Sequence, residues 1–340
     1  KNLGTTSTPD FATVVYNPFG LNPGETFASG DSFSSITQFV DLNNDGLMDL
    51  LMGSEDGGNV GYFPNTSSQS GATVDVSNYG DDSDRAIKKS DGSWTYFATD
   101  MAYHLDKMNR TKGDLINVLG ADHIGYISRI NAAVSALSNG SVAIDTKVCA
   151  LVNLLEDGKP IKMSKRAGNF VTLSDIINAV GKDVVRFIML TRRNDQSIDF
   201  DFKKVTEKSK ENPVFYVQYA HARCNSIFRS SKIKEEELIL KNPKLLKNDY
   251  EIELIKFIAL WPRTLELAAR NHEPHRICYY LIELSSIFHS LWNKGKDDNI
   301  KFIVENDLEL TNARLSLVKA VALTIRKGLS LLKIEPVLEM

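Results

Sequence analysis

The sequence lacks the features that mark secreted, membrane-spanning or disordered chains. Its three cysteines, Cys149, Cys224 and Cys278, stand far apart and form no CxxC pair. So few cysteines argue against a disulfide framework and favour buried thiols. No apolar run reaches the roughly 18 residues that a membrane span needs, and no basic-then-apolar signal opens the chain. We therefore expect no membrane partners.

An excess of one charge is also missing. The formal net charge is -3, with 24% charged and 42% hydrophobic residues in a chain of 340. This composition is typical of a globular protein rather than a disordered one. Because there is no overall basic field, a nucleic-acid partner would have to bind a local face.

Lysine and arginine are absent between Lys1 and residue 75, where small and polar residues dominate. The short apolar runs Ile36–Val40 and Leu50–Met52 lie between turn residues, which predicts short strands. Polar, small residues over 67–77 are typical of a linker. The sequence thus predicts a β-rich segment over residues 1–75.

Side-chain oxygens alternate within this segment at Asp41, Asn43 and Asp45, before Gly46 and a later Asp49. Such spacing suits a hard cation such as Ca²⁺; the alternative is a polar turn without metal. The segment resembles one FG-GAP or VCBS-type propeller repeat. A propeller needs about 4–8 blades, so a single repeat cannot form one.

Strand and helix patterns alternate over residues 78–202. The runs Asp114–Leu119 and Val148–Leu155 each predict a buried strand, and Ile127–Leu137 has helical spacing. A capping box at Thr172 predicts a helix that ends at Gly181. This alternation indicates βαβ units on a parallel sheet.

After Lys203 the patterns predict helices only. Three sets of apolar residues have the i, i+3, i+4, i+7 spacing of a buried helix face. These sets are Val217, Ala220, Cys224, Ile227 and Phe228; Ile277, Tyr280, Leu281, Leu284, Ile287, Phe288 and Leu291; and Leu315, Val318, Val321, Ala322, Ile325, Leu329 and Leu332. A helical bundle over residues 203–340 follows.

The run Lys162-Met163-Ser164-Lys165-Arg166 is flanked by glycine and proline, which predicts a loop. Cations on a flexible loop suit phosphate chemistry, because ammonium groups stabilise the charge that builds on phosphorus and on leaving pyrophosphate. The alternative is a solvated basic loop. The order Lys-Met-Ser-Lys resembles the second signature of class I aminoacyl-tRNA synthetases.

Four further stretches, in the same order, resemble the arginyl member of that class: Asp91–Asp100, Gly120–Tyr126, Gly168–Leu173 and Asn212–Arg223. The resemblance covers residues 79–340. It implies a multidomain chain in which the β segment is followed by the second half of a Rossmann-like α/β catalytic domain. An all-α anticodon-binding bundle of the DALR type comes last.

By this resemblance, Tyr96, Asp100 and His123 contact the substrate arginine. A carboxylate can pair with a guanidinium through two hydrogen bonds. The alternatives are a helix-start carboxylate for Asp100 and a packed histidine for His123. Gly120 and Asp122 would lie near the ATP ribose, and Lys162 to Lys165 would act on the phosphates.

Tyr216, Gln218, Tyr219 and the terminal Met340 match the family's anticodon-binding domain. Aromatic side chains there can stack on unpaired bases. The alternative is that both tyrosines pack in the core of the bundle.

The resemblance implies an arginine–tRNA ligase that uses ATP with Mg²⁺, arginine and tRNA(Arg) and acts as a monomer in the cytoplasm. The family's first half, with its His-Ile-Gly-His signature, has no counterpart here. We therefore expect a C-terminal part in a chimera joined near residues 70–78, inactive alone. The alternatives are a stand-alone tRNA-binding helical module and a Ca²⁺-binding surface protein.

Overall fold

The computed structural model describes residues 37–40, 49–53, 60–63, 73–74, 76–111, 113–161, 171–207, 209, 211–295 and 300–340. For the first three ranges it gives the backbone alone. The chain divides into two compact units, residues 1–149 and 150–340.

Three short strands form an antiparallel sheet near the start of the chain: β1 (Thr37–Val40), β2 (Asp49–Gly53) and β3 (Val60–Phe63). The order in the sheet is β1-β2-β3, with Phe39 opposite Leu50. The two strands predicted from apolar runs are confirmed. The likeness to a propeller repeat stays a prediction.

The rest of the first compact unit contains the β4 (Thr73–Val74) and β5 (Arg85–Ala86) ladder, α1 (Tyr96–Thr111), β6 (Leu115–Gly120), α2 (Ile127–Ser138) and β7 (Ile144–Cys149). Strands β6 and β7, with α2 between them, form a βαβ unit. Strands β6 and β7 pair in parallel, as a helical crossover requires. The strand and helix predicted there are confirmed, but the strand is not buried as predicted, because Ile116 and Val118 are exposed. Phe97 and Met101 of α1 pack on Ala133 of α2.

A second small sheet opens the other unit. Its strands are β8 (Val152–Glu156), β9 (Lys159–Pro160) and β10 (Ile198–Asp201), with α3 (Leu173–Val180) and α4 (Lys182–Met189) between the last two. Strand β8 pairs with β10 in parallel and with β9 antiparallel. Asp157 and Gly158 join β8 to β9 with φ angles of 51° and 77°, which fits the type I′ turn that suits hairpins.

The prediction of one strand over Val148–Leu155 is wrong. The run is split between β7 and β8, which belong to different sheets. The break lies at Ala150 and Leu151, where the Ala150 N–H donates to the Asn194 carbonyl at 2.7 Å. A continuous apolar run carries no signal for such a change of sheet.

The capping box at Thr172 is confirmed. The Thr172 Oγ1 accepts from the Asp175 N–H at 3.1 Å, and the Asp175 carboxylate accepts from the Thr172 N–H at 2.8 Å. Helix α3 ends at Gly181, whose φ of 87° favours glycine.

Helices make up the remainder: α5 (Phe202–Thr206), α6 (Pro213–Ser231), α7 (Asp249–Ile258), α8 (Trp261–Arg270), α9 (His275–Lys294) and α10 (Leu308–Leu331). The described residues after Asp201 contain no strand, which confirms the helical prediction. All three predicted apolar faces contribute to one buried core.

A buried ion pair crosses this bundle. Arg314 of α10 donates from Nε to the Glu251 carboxylate of α7 at 2.7 Å, and from Nη1 to the Lys301 carbonyl at 2.6 Å. Both charged side chains are almost fully buried. Glu251 also accepts from the Asn248 N–H that precedes α7, so one carboxylate caps α7 and joins it to α10. None of the described helices is long and apolar enough to cross a membrane.

Candidate substrate site and nucleic-acid interface

The predicted arginine-contacting residues lie at the start of α1. Tyr96 is the first residue of the helix and is 87% exposed. Asp100 follows one turn later and is half-buried. Residues four apart share one side of a helix, so the ring and the carboxylate face the same way. The Thr95 hydroxyl, which accepts from the Ala98 N–H at 3.3 Å, fixes this helix start.

Tyr126 holds the Asp100 carboxylate. The Tyr126 hydroxyl donates to Asp100 Oδ2 at 2.8 Å. Burial, together with this hydrogen bond, raises the pKa of Tyr126 well above its usual value, so the phenol stays a neutral donor. The Tyr126 ring packs edge-on against Phe97, with centroids 6.3 Å apart. One carboxylate oxygen is thus oriented from the turn after β6.

A buried polar chain lies below Asp100. His104 Nδ1 contacts the Asp100 carbonyl at 2.6 Å, and His104 Nε2 contacts Asn117 Nδ2 at 2.8 Å. The Asn117 amide oxygen accepts from Lys107 Nζ at 3.0 Å. Burial lowers the pKa of His104, so the imidazole is neutral and donates from Nδ1. Sequence reasoning missed His104, although its spacing from Asp100 placed both on one side of α1.

The polar turn after β6 carries the predicted ATP-contacting residues. Asp122 and His123 are exposed, and His123 Nε2 lies 3.6 Å from Asp122 Oδ2. The packed-histidine alternative for His123 is therefore wrong. A Cβ at Gly120 would lie 2.6 Å from Asp122 Oδ1, so glycine lets the carboxylate fold back over the backbone. Ligands commonly bind at this carboxyl end of parallel strands.

Two predicted sites lie outside the described residues. One is the loop with Lys162, Met163, Ser164 and Lys165. The other is the Ca²⁺ candidate formed by Asp41, Asn43, Asp45 and Asp49; of these four residues only Asp49 is described, and only its backbone. Among the described residues, no group of three or more His, Cys, Asp or Glu side chains could hold a metal ion.

The hairpin that precedes the lysine loop is anchored by Asp201. The carboxylate of Asp201, which is buried, accepts from the Gly158 N–H at 2.7 Å and from the Lys203 N–H at 3.0 Å. It joins the β8–β9 turn to the start of α5. Sequence reasoning missed this residue as well, because its partner lies 43 positions away.

An aromatic patch covers one side of α6. It consists of Phe215, Tyr216, Tyr219 and Arg223 of α6 with His289 and Trp292 of α9. The Arg223 guanidinium lies 4.2 Å from the Tyr219 ring centroid and 5.1 Å from that of Trp292. Tyr216 and Tyr219 are half-buried, so neither tyrosine is wholly within the core.

His289 completes this patch as a neutral acceptor. Arg223 Nη1 lies 2.8 Å from His289 Nδ1. Burial, and then the Arg223 charge, lowers the pKa of His289 to about 4. A neutral imidazole can accept from the guanidinium, which keeps Arg223 over the rings.

Gln218 lies on a different side of α6 and is only 7% exposed. Its Nε2 donates to the Glu335 carbonyl at 2.8 Å, and its Oε1 accepts from the Val337 N–H at 2.9 Å. The sequence predicted an RNA contact for Gln218, but the amide is committed to the chain terminus. Met340, at that terminus, is 57% exposed.

Comparison with known proteins gives two family matches, one after the other along the chain with a short overlap. Residues 65–228 match the class I tRNA synthetase (R) catalytic domain, and residues 217–340 match the DALR anticodon-binding domain. The arginine–tRNA ligase of Wolbachia pipientis from Culex pipiens is 54% identical over 263 residues, and that of Parvibaculum lavamentivorans is 52% identical over 269.

Residues 65–340 thus match the catalytic and anticodon-binding parts of class I arginyl-tRNA synthetases. The two relatives align with 77% of this chain but with 46% of their own length. The chain therefore spans about half the length of these synthetases.

Solved synthetase structures agree with the fold. A Campylobacter jejuni chain described as an arginyl-tRNA synthetase superposes with a TM-score of 0.69 and 35% identity, covering 79% of this chain and 57% of its own. The Thermus thermophilus arginyl-tRNA synthetase gives 0.63 at 20% identity, with 82% and 55% covered, and supports the fold alone. The predicted Rossmann-like α/β region followed by a DALR-type helical domain is confirmed.

Proposed function

We propose that residues 65–340 are the C-terminal part of an arginine–tRNA ligase. The reaction joins ATP and arginine into arginyl-adenylate with release of pyrophosphate, and then moves the arginyl group to the 3′ end of tRNA(Arg). The observation that carries this proposal is the order of two matched domains, catalytic and then anticodon-binding, along one chain. The geometry of Asp100 supports the choice of arginine.

Asp100 would bind the guanidinium of the substrate. Tyr126 holds one oxygen of this carboxylate and fixes its orientation. The second oxygen would then face the guanidinium. Such preorganisation favours a charge-assisted hydrogen bond. The exposed Tyr96 ring, on the same side of α1, would cover the guanidinium plane. His123 would contact the amino-acid end of the substrate.

Gly120 and Asp122 would contact the ATP ribose at the carboxyl end of β6. Lys162 and Lys165 would stabilise the phosphates, with Met163 and Ser164 completing the signature loop between them. ATP in this family is used with Mg²⁺. The Mg²⁺ would neutralise phosphate charge, and the lysines would orient the phosphate groups.

The helical domain would bind tRNA(Arg). Tyr216 and Tyr219 would offer ring faces to unpaired bases, and the exposed Met340 side chain would contact the RNA beside them. We further propose a cytoplasmic monomer. Ca²⁺ at Asp41, Asn43, Asp45 and Asp49 would bind weakly at most, because a single repeat cannot hold the loop rigid.

A second candidate function is tRNA binding without catalysis. The helical bundle favours it, because its core is complete among the described residues, whereas the chain aligns with about half of each relative. Both candidates require tRNA binding, and the first also requires adenylate formation.

Filter binding with a tRNA(Arg) transcript tests the shared requirement. We expect tRNA(Arg) to bind more tightly than an unrelated tRNA, and Tyr219→Ala to weaken binding roughly tenfold or more, since stacking on one base is worth about 1–3 kcal/mol. Tyr279→Ala is the matched control, because Tyr279 is an exposed tyrosine on α9 outside the patch. Equal affinity for both tRNAs, or an unaffected Tyr219→Ala, would contradict the proposal.

A further inference from the structure

The buried polar chain below Asp100 joins helix α1 to strand β6. It runs from the Lys107 ammonium through the side chains of Asn117 and His104 to the Asp100 carbonyl, with contacts of 3.0, 2.8 and 2.6 Å. Asn117 and His104 are only 6% and 4% exposed. Burial of polar groups is costly unless hydrogen bonds offset it, and apolar side chains would fill the same space. The polar chain supplies what apolar packing does not, namely contacts of fixed direction.

The lysine at one end sets the direction of every hydrogen bond in the polar chain. An ammonium group only donates, so the Asn117 amide oxygen faces Lys107 and the Asn117 amide nitrogen faces His104. His104 therefore accepts at Nε2 and carries its proton on Nδ1, from which it donates to the Asp100 carbonyl. Buried hydrogen bonds that point the same way strengthen one another. The main chain at Asp100 is thus tied to β6.

Strand β6 also leads to the proposed ATP-contacting residues. Three positions after Asn117 the strand ends at Gly120, and the polar turn of residues 121–126 follows. Tyr126 of this turn donates to the Asp100 carboxylate. Asp100 is therefore fixed twice to one strand and its turn, by its carbonyl through the polar chain and by its carboxylate through the phenol.

We propose that His104 and Asn117 are positioning residues that set the separation between the arginine subsite at Asp100 and the ATP subsite at Gly120 and Asp122. In adenylate formation, a carboxylate oxygen of arginine bonds to the α-phosphorus of ATP. The bond from that phosphorus to pyrophosphate breaks, and pyrophosphate leaves with the electron pair. Such a step needs the reacting atoms about 3–3.5 Å apart. This inference rests on the proposed function, since it takes arginine and ATP as the substrates.

Nitrogen NMR of the full chain tests the direction of the polar chain. We expect the neutral His104 ring to carry its proton on Nδ1. The signal that is missing from His104→Leu identifies this ring among the six histidines. A proton on Nε2 would overturn the inference, because Nε2 could not then accept from Asn117.

Affinity for a ligand that spans both subsites tests the consequence. The ligand is the sulfamoyl analogue of arginyl-adenylate, and free arginine, which occupies one subsite, is compared with it by calorimetry. We expect Asn117→Leu to weaken binding of the analogue roughly tenfold or more, because a small displacement between subsites is felt by a ligand that joins them. Affinity for arginine alone should stay nearly unchanged. His104→Leu breaks the same contact from α1 and should act alike, so it answers the question if Asn117→Leu folds poorly.

Met108→Ala is the control for a purely structural role. Met108 is buried on α1 and packs with Leu115 and Val134, outside the polar chain. It should lower stability without changing the ratio of the two affinities. A similar change of that ratio in Met108→Ala and Asn117→Leu would overturn the inference.

Two further outcomes separate the inference from the proposed function. If Asp100→Ala weakens binding of the analogue but Asn117→Leu does not, the inference fails and the proposed arginine site stands. If the unmodified chain binds neither the analogue nor arginine, or if Asp100→Ala changes nothing, the proposed arginine site and the inference fail together.

Discussion

The helical bundle and the first α/β unit differ in how completely they bury their apolar surface. Among the described residues, the bundle core contains 30 buried apolar residues, whereas the largest cluster of the first unit contains eight. In that unit, Ile116 and Val118 of β6 are 50% and 67% exposed. Parallel sheets are normally covered on both faces. In the part of the chain that the structure describes, the bundle thus buries its apolar residues in one core, whereas the β6–β7 sheet leaves one apolar face exposed.

The amino-acid pattern explains this difference. Helices α6, α9 and α10 place their apolar residues toward one another, as amphipathic helices do. Strand β6 is instead apolar on both faces, with Leu115 buried and Ile116 exposed. A strand of this kind has the composition of one buried on both sides. Its sequence therefore suits a larger sheet than the two described strands.

The largest expected effect comes from separating the two regions. We expect residues 150–340, the second compact unit, to fold cooperatively alone. Residues 73–149 alone should lack a cooperative transition or aggregate, because an apolar sheet face and edge are exposed. Thermal unfolding followed by circular dichroism checks both. A sharp transition in the fragment of residues 73–149 would contradict the comparison.

Within the bundle, the buried ion pair should matter most. Arg314→Ala leaves the Glu251 carboxylate buried without its partner, so we expect a loss of about 3–5 kcal/mol in the free energy of unfolding. Urea denaturation measures it. Arg270→Ala breaks an exposed pair with Glu266 and is the control, with almost no change expected. Equal effects of the two variants would show that Arg314 is not buried as described.

Acid should weaken the bundle through His289. The pKa of His289 is lowered to about 4, below the ordinary value of about 6.5. The neutral form is favoured in the folded state, so stability is complete above pH 6.5 and falls as the pH drops toward 4. At pH 5 this amounts to about 2 kcal/mol.

Urea unfolding at pH 7 and pH 5 checks this dependence, with His289→Gln as the comparison. The variant should lose less stability between the two pH values than the unmodified chain. An identical pH dependence in both would mean that His289 has the same pKa in the folded and the unfolded chain.

The smallest effect is expected at the uncovered sheet face. Val118→Thr should change the free energy of unfolding by less than about 0.5 kcal/mol, because surface substitutions rarely do more. Val134→Thr, at a fully buried position of helix α2, is the contrasting variant. A loss above about 1 kcal/mol for Val118→Thr would show that this face is covered in the folded chain.

Much of the fold could be predicted from local pattern. Apolar spacing gave α2 and the faces of α6, α9 and α10, and the capping box at Thr172 gave α3. The split between β7 and β8 could not be predicted, because Ala150 and Leu151 continue an apolar run and the decisive partner, Asn194, is distant in sequence. Local pattern cannot reveal a change of sheet.

The candidate site divides in the same way. Residue type and motif pointed to Asp100 and Tyr96, whose common side of α1 follows from helical spacing. The supporting contacts of Tyr126 and Asp201 could not be predicted, since they join positions 26 and 43 residues apart. Gln218 lies in a matched motif, yet its partners at the chain terminus follow only from the folded bundle.

Pyrophosphate exchange tests the central contrast most directly. The 340-residue chain, supplied with arginine, ATP, Mg²⁺ and tRNA(Arg), should bind the tRNA through its helical domain but give no arginine-dependent exchange. The reason is that positioning and electrostatic stabilisation carry such reactions, and the proposed site of this chain belongs to a part that aligns with about half of each relative. Exchange above background that disappears in Lys165→Ala would contradict this account.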